Sequence, residues 1–187
     1  MMSDLTKRII LGIVIVVTAV LIVLAVNRKD SDTRKTSEQN SPPVPTKLVM
    51  LDARERGLKD LVAKDPQNRD LLFQLGTLYF ESDRFDRAVE VYRRILMIND
   101  GDIDTLNDLG LALHYTGRSQ EGVDALKKGT SIDPTHQRIW LSLGFVLATS
   151  GRAEEAVPAL QKAIKLNPNN TVGQEAGKIL VSLRKNK

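Results

Sequence analysis

The chain has 187 residues, a formal net charge of +4, and ordinary apolar and charged fractions of 42% and 27%, enough for one modest domain with accessory segments. Cysteine is absent, which excludes disulfides, thiolate zinc sites, a cysteine nucleophile and a lipidated cysteine. Residues 1–47 carry seven Lys/Arg against four Asp/Glu and the remainder twenty against nineteen, with aromatics at only 4%, so the body of the chain is near neutral and nucleic acid is not an expected partner.

After a short tail, residues 1–8, the stretch "IILGIVIVVTAVLIVLAV" at 9–26 runs eighteen residues without a charge. As a helix it would span about 27 Å, close to the hydrocarbon thickness of a bilayer. Lys7, Arg8, Arg28 and Lys29 bracket it, so it reads as a transmembrane anchor to the lipid bilayer. A cleaved signal peptide would carry a shorter apolar region and small residues at the cut, which "LAVNRK" does not supply. Counting positive charges places the carboxyl-terminal part in the cytoplasm. The short basic tail ahead of a first apolar helix is instead the usual form of a bacterial signal-anchor, which exports the rest of its chain. The expectation is a single-pass bacterial inner-membrane protein with its domain periplasmic, the cytoplasmic orientation remaining the alternative.

Residues 27–47, "NRKDSDTRKTSEQNSPPVPTK", contain almost no large apolar side chain before Val44. They read as a disordered, proline-containing tether, because "SPPVP" blocks helix continuation. Residues 48–64 then carry Leu51, Leu58, Leu61 and Val62 ahead of Pro66 and predict a flanking helix.

From there one sentence is written three times. "LFQLGTLYFESDRFDRA", "LNDLGLALHYTGRSQEG" and "WLSLGFVLATSGRAEEA" lie thirty-four residues apart, with Leu75, Leu109 and Leu143 and then Gly76, Gly110 and Gly144 in phase. That period suits a pair of helices. In the third copy, Trp140, Leu143, Gly144 and Leu147 form one helical stripe, "SGR" breaks it, and Ala156, Leu160, Ala163 and Ile164 form another. A glycine inside a helix costs about 1 kcal/mol relative to alanine. Three at one phase therefore predict a close helix contact, with Gly76 facing Ala88, Gly110 facing Gly122 and Gly144 facing Ala156.

These positions resemble the tetratricopeptide repeat family. The family pattern of large residue, Leu-Gly, large residue, small residue, large residue, small residue and proline is met by Trp140, Leu143–Gly144, Leu147, Ala156, Leu160, Ala163 and Pro168. The second copy meets it with Leu106, Leu109–Gly110, Leu113, Gly122, Leu126, Gly129 and Pro134, and the first with Leu72, Leu75–Gly76, Tyr79, Ala88, Tyr92, Ile95 and Asp100. Departures are Ile95, bulky where alanine is usual, and Asp83, where the other turns have Gly117 and Gly151. The resemblance implies an all-α, right-handed α-solenoid of three helix pairs at 69–102, 103–136 and 137–170. A capping helix is expected at 171–185, where Val172, Ala176, Ile179, Leu180 and Leu183 share a face, since a repeat stack must cover its last apolar surface.

Opposite the packing stripe of each first helix stand Asp70, Phe73, Thr77 and Phe80; then Asp104, Asn107, Leu111 and His114; then Arg138, Leu141, Phe145 and Ala148. In the family the corresponding positions line a concave groove where peptides bind. Phe73, Phe80, Leu111, Leu141 and Phe145 would make that groove apolar, or would pack on the neighbouring helix. The family's clamp for a terminal carboxylate uses Lys and Asn, and here only Arg138 offers charge, so the expected ligand is an apolar peptide or helix of a protein partner.

Catalytic and metal chemistry are not expected, and no cofactor is implied. Asp100, Asp102 and Asp104 alternate like the start of a calcium loop, but Thr105 stands for its glycine and Leu111 for its glutamate; helix capping is the better reading. His114 and His136 lack a second ligand at helical spacing. The chain reads as a non-catalytic, membrane-tethered interaction module. It is similar in layout to anchored bacterial repeat subunits that assist cytochrome c maturation by capturing an apocytochrome tail. The competing reading is a self-assembling, homo-oligomeric membrane scaffold.

Overall fold

The computed structural model describes residues 47–185, in which eight helices succeed one another without a strand. They are α1 (Lys47–Lys64), α2 (Arg69–Glu81), α3 (Phe85–Ile98), α4 (Ile103–Tyr115), α5 (Ser119–Ile132), α6 (Gln137–Thr149), α7 (Ala153–Leu166) and α8 (Thr171–Lys185). The anchor assigned to 9–26 and most of the 27–47 tether lie outside the described residues. Among the described residues no helix is long and apolar enough to cross a membrane.

Each pair α2–α3, α4–α5 and α6–α7 folds into an antiparallel hairpin, and α8 closes the stack against α6 and α7. The backbones of the first helices α2, α4 and α6 approach one another in order, whereas those of the second helices α3, α5 and α7 stay further apart and are bridged by long side chains such as Arg93 to Glu121. The stack therefore curves with its first helices on the inner side. Leu72, Leu75, Tyr79, Tyr92 and Ile95 build one buried cluster with Leu58 and Val62 of α1. Leu126, Ile139, Leu147, Leu160 and Ala163 build the next, ending on Ala176 and Leu180 of α8.

The turns inside the hairpins need a left-handed residue. Gly117 and Gly151 supply φ of 80° and 78°, and Asp83 takes φ of 59° at the same phase, a region that aspartate tolerates better than most side chains. Helix starts are capped where the chain re-enters a repeat. Asn68 accepts from the backbone N–H of Asp70 and Leu71, and Asp102 from that of Thr105 at 2.9 Å. Asp102 thus caps α4, and Asp100 pairs with Lys128 at 3.0 Å.

The helical glycines Gly76, Gly110 and Gly144 sit where contact is closest, and at all three the nearest atom belongs to the side chain one turn beyond the expected partner, Tyr92, Leu126 or Leu160. A Cβ on Gly110 would lie 3.0 Å from the Gly122 carbonyl oxygen and one on Gly122 would lie 2.5 Å from that of Gly110, so this pair does meet. A Cβ on Gly76 would strike the Tyr92 ring at 2.5 Å, and one on Gly144 would strike Leu160 at 2.6 Å. Side chains lean toward the amino end of their helix, so a given spot is covered from further along the chain. Tyr92 and Leu160 reach back over the glycines from one turn beyond Ala88 and Ala156.

α1 is pinned by a half-buried carboxylate. Glu55 accepts from the Tyr79 hydroxyl at 3.0 Å, pairs with Lys59 at 2.6 Å and receives the Arg84 guanidinium. Arg84, Arg118 and Arg152 occupy one phase of the repeat. Arg118 and Arg152 grip Glu121 and Glu155 three residues on. The first repeat has Arg87 at that place, which frees Arg84 to reach across to α1. Lys59 and then Arg84 hold the Glu55 carboxyl down to about 2 against the opposing effect of burial.

Candidate functional site: the inner face

The inner face, built from α2, α4 and α6, divides into three bands along the helices. At the amino-terminal ends lies a charged band. Arg69 donates to both oxygens of Asp102 at 2.8 and 3.0 Å and also meets the exposed Asp70 at 3.3 Å. These ion pairs hold Arg69 protonated well above its ordinary range, the Asp102 hydrogen bond being the largest cause. The same guanidinium lies 4.4 Å from the centre of the Phe73 ring, a cation–π contact. Asp104 faces His136 Nε2 at 3.5 Å.

A polar cluster occupies the middle. Asn107 is fully buried and donates to Asp108 Oδ1 at 2.8 Å. Arg138, with 54% of its side chain exposed, donates to the same oxygen at 2.7 Å. Burial pushes the Asp108 carboxyl up, against the pull of Arg138 and Asn107. Burial likewise pushes the neighbouring Tyr92 phenol up, with the Asp108 charge as the second cause. The Tyr92 hydroxyl, Thr77 Oγ1 and Asn107 Oδ1 are buried without a hydrogen-bond partner. Unpartnered polar atoms in such a place raise the gain from any group that reaches them.

At the carboxyl-terminal ends an aromatic run crosses all three repeats. Phe85 stacks on Tyr115 at 4.7 Å between ring centres, Phe80 meets both edge-on, and His114 bridges Tyr115 at 5.5 Å to Phe145 at 5.8 Å. His114 lies 2.9 Å from Ser119 Oγ through Nδ1 and 3.1 Å from Thr149 Oγ1 through Nε2. The Thr149 hydroxyl donates to the Phe145 carbonyl at 2.8 Å. Nε2 therefore carries the ring proton and Nδ1 accepts from Ser119. Burial lowers the His114 pKa, keeping the ring neutral at physiological pH.

Of the residues singled out from sequence, Asp70 and Arg138 are exposed, whereas Phe73, Thr77, Phe80, Leu111, His114, Leu141 and Phe145 are half-buried. Phe73 and Phe80 pack on the first core cluster, and Leu111, Leu141 and Phe145 on the second. The apolar floor is thus shared between groove and core. Asn107 does not reach solvent; its role is to hold Asp108. Asp108, Tyr115 and Phe85 were missed from sequence. The first did leave a clue, because Asn107 stands at a phase where the other copies have Phe73 and Leu141.

A curved stack of helical hairpins with a continuous inner face is the architecture of a repeat module for protein–protein contact. Tetratricopeptide repeat profiles match residues 56–107, 103–136 and 137–170, together well over half of the chain, and the chain belongs to that family. Among solved structures it is similar to YrrB, described as a tetratricopeptide repeat protein with an unusual peptide-binding site, at 23% identity and a TM-score of 0.62 over 69% of this chain and 66% of that one. It is also similar to MamA, at 21% identity and a TM-score of 0.60 over 72% of this chain and 87% of that one. Among curated proteins it is similar to the peroxisomal targeting signal receptor of Candida albicans, 33% identical over 69 residues. That alignment spans 37% of this chain and 12% of the receptor, so the match covers about an eighth of the length of that relative.

Proposed function

We propose that the inner face binds an apolar segment of a protein partner, extended or helical. The carrying observation is the aromatic run from Phe80 through Tyr115 and His114 to Phe145, laid beside the Asn107–Asp108–Arg138 cluster. The first supplies an apolar strip, and the second supplies one polar pin that fixes register. A peptide-binding site in the similar YrrB structure is in keeping with this reading.

We propose equally that residues 9–26 tether the module to a bacterial inner membrane, with the repeats in the periplasm. Support comes from the uncharged length of that stretch and the basic residues around it. Protease accessibility of the repeats in spheroplasts tests the side: digestion without lysis supports it, and protection until lysis contradicts it. In its most specific form the partner is the tail of an apocytochrome, presented for maturation.

Changing Phe73, Leu111 and Phe145 together to serine would strip contacts from both core clusters, so a gentler change is preferable. Arg138→Glu, at a half-exposed side chain, is expected to reduce partner co-purification at least about tenfold, about 1.4 kcal/mol, with the helical circular dichroism unchanged. Undiminished co-purification would contradict the groove. A self-assembling scaffold is the second reading, favoured by apolar side chains left exposed at helix ends, Met97 at 79% and Ile132 at 46%. A mass that rises with concentration in the absence of partner would select it.

A further inference from the structure

The outer face carries a separate feature. Between successive second helices runs a crevice floored by the first helix below them, and the thirty-four-residue register sets its copies at one phase. The middle copy is crossed by two ion pairs, Arg93 to Glu121 at 3.0 Å and Lys128 to Asp100 at 3.0 Å. The third copy keeps the first of these only at 3.8 Å and has lost the second. Lys127 stands 3.8 Å from Glu155, whose two oxygens Arg152 holds at 2.7 Å each, much as Arg118 holds those of Glu121. Pro134 replaces the acid at Asp100's phase, so Lys162 has no ion-pair partner among the described residues.

The floor and wall change with it. Trp140 stands where the second repeat has Leu106, and Pro158 where it has Asp124. Pro158 lies inside α7, a place helices ordinarily reject because proline removes a backbone donor. The Trp140 indole donates to the Pro134 carbonyl at 2.9 Å, which fixes the ring. The resulting crevice encloses about 740 Å³, against about 390 Å³ for the equivalent one in the first repeat.

We propose that this third outer crevice is a second docking site, occupied by an extended peptide segment with an apolar or proline anchor flanked by acidic residues. Charge complementarity sets the flanks. Lys127 on α5 and Lys162 on α7 stand on opposite walls, and Glu155, the acidic lining residue, is shared between Arg152 at 2.7 Å and Lys127 at 3.8 Å, which leaves a net positive lining. Aromatic and proline side chains set the anchor, since a fixed indole face suits extended proline-bearing chains. The inner groove and this crevice lie on opposite sides of the first helices, so both can be filled at once.

The full chain in detergent micelles is panned with a random dodecapeptide phage library, using the Pro158→Asp/Lys162→Glu double variant for counter-selection. Enriched peptides are expected to place acidic residues on both sides of a proline or aliphatic residue. Trp140 is the chain's single tryptophan, so titration with these peptides should shift its emission directly. Lys162→Glu should weaken binding at least about tenfold, exchanging the peptide's acids for lysine should recover it, and Arg138→Ala on the inner face should leave it unchanged. The site is overturned if nothing is enriched over the double variant, or if Lys162→Glu binds as well as the parent. Enrichment of uncharged proline sequences like the chain's own "SPPVP", or equal loss in Arg138→Ala, overturns it as well.

Discussion

The seam inside each hairpin and the inner face of the stack obey different rules. At the seam, Gly110 and Gly122 approach so closely that neither has room for a methyl group; the first position is glycine in every copy, and the second is never larger than alanine. On the inner face, equivalent positions hold Phe73, Asn107 and Leu141, and equivalent next positions Gln74, Asp108 and Ser142. Stacking fixes the first set of residues because interiors are close-packed. It leaves the second set to vary, which is what a surface shaped for a partner requires.

The largest expected effect lies at the seam. Gly122→Ala would put its Cβ 2.5 Å from the Gly110 carbonyl oxygen, a backbone atom that cannot swing aside. Overpacking costs about 1–3 kcal/mol, and this case should fall near 3 kcal/mol in urea unfolding. A loss below about 1 kcal/mol would show the seam to be softer than described.

Next comes the joint between α1 and the first repeat. Glu55→Gln should lose about 2 kcal/mol at pH 7, where the paired carboxylate is ionised. Glu55 has a depressed folded pKa of about 2. Its contribution is therefore fully present above the unfolded value of about 4.3 and disappears as pH falls toward 2. Parent and variant should converge in stability by pH 2. A difference independent of pH would remove the ion pairs as its cause.

Arg138→Ala probes the inner face and should be milder, about 1 kcal/mol at pH 7, because the guanidinium is half in water. Here the sign reverses. The folded Asp108 carboxyl is pushed up, so its penalty is absent below the unfolded value of about 3.9 and grows as pH rises through the folded one. Loss of Arg138 enlarges that penalty, so the deficit should be near zero at pH 3 and greatest at neutral pH. Thermal unfolding across that range checks it.

Features that depend on the chain alone were legible in it, and those that depend on assembly were not. Helix pairs announce themselves through Leu75–Gly76 and its in-phase copies and through Pro134 and Pro168, because local periodicity and helix-breaking act along the chain. Which side chain fills the space over Gly76 or Gly144 depends on the lean of Tyr92 and Leu160 from the facing helix, and periodicity does not carry that. Asp108 meeting Arg138 across two repeats, and Arg84 reaching Glu55 because Arg87 has displaced its nearer acid, are contacts that only the assembled stack creates. The inner-face aromatics were legible as a face. Their half-buried state was not, since burial there depends on how closely α2, α4 and α6 approach.

Whether the inner face receives a foreign polypeptide is tested most directly by a photo-crosslinking side chain placed at position 111 or 145 in living cells. Both inner positions should yield the same discrete protein adduct, absent when the crosslinker sits at the exposed Ser182 of α8. Adducts of identical pattern from all three positions, or none from 111 and 145 in cells where the chain is stably expressed, would contradict it.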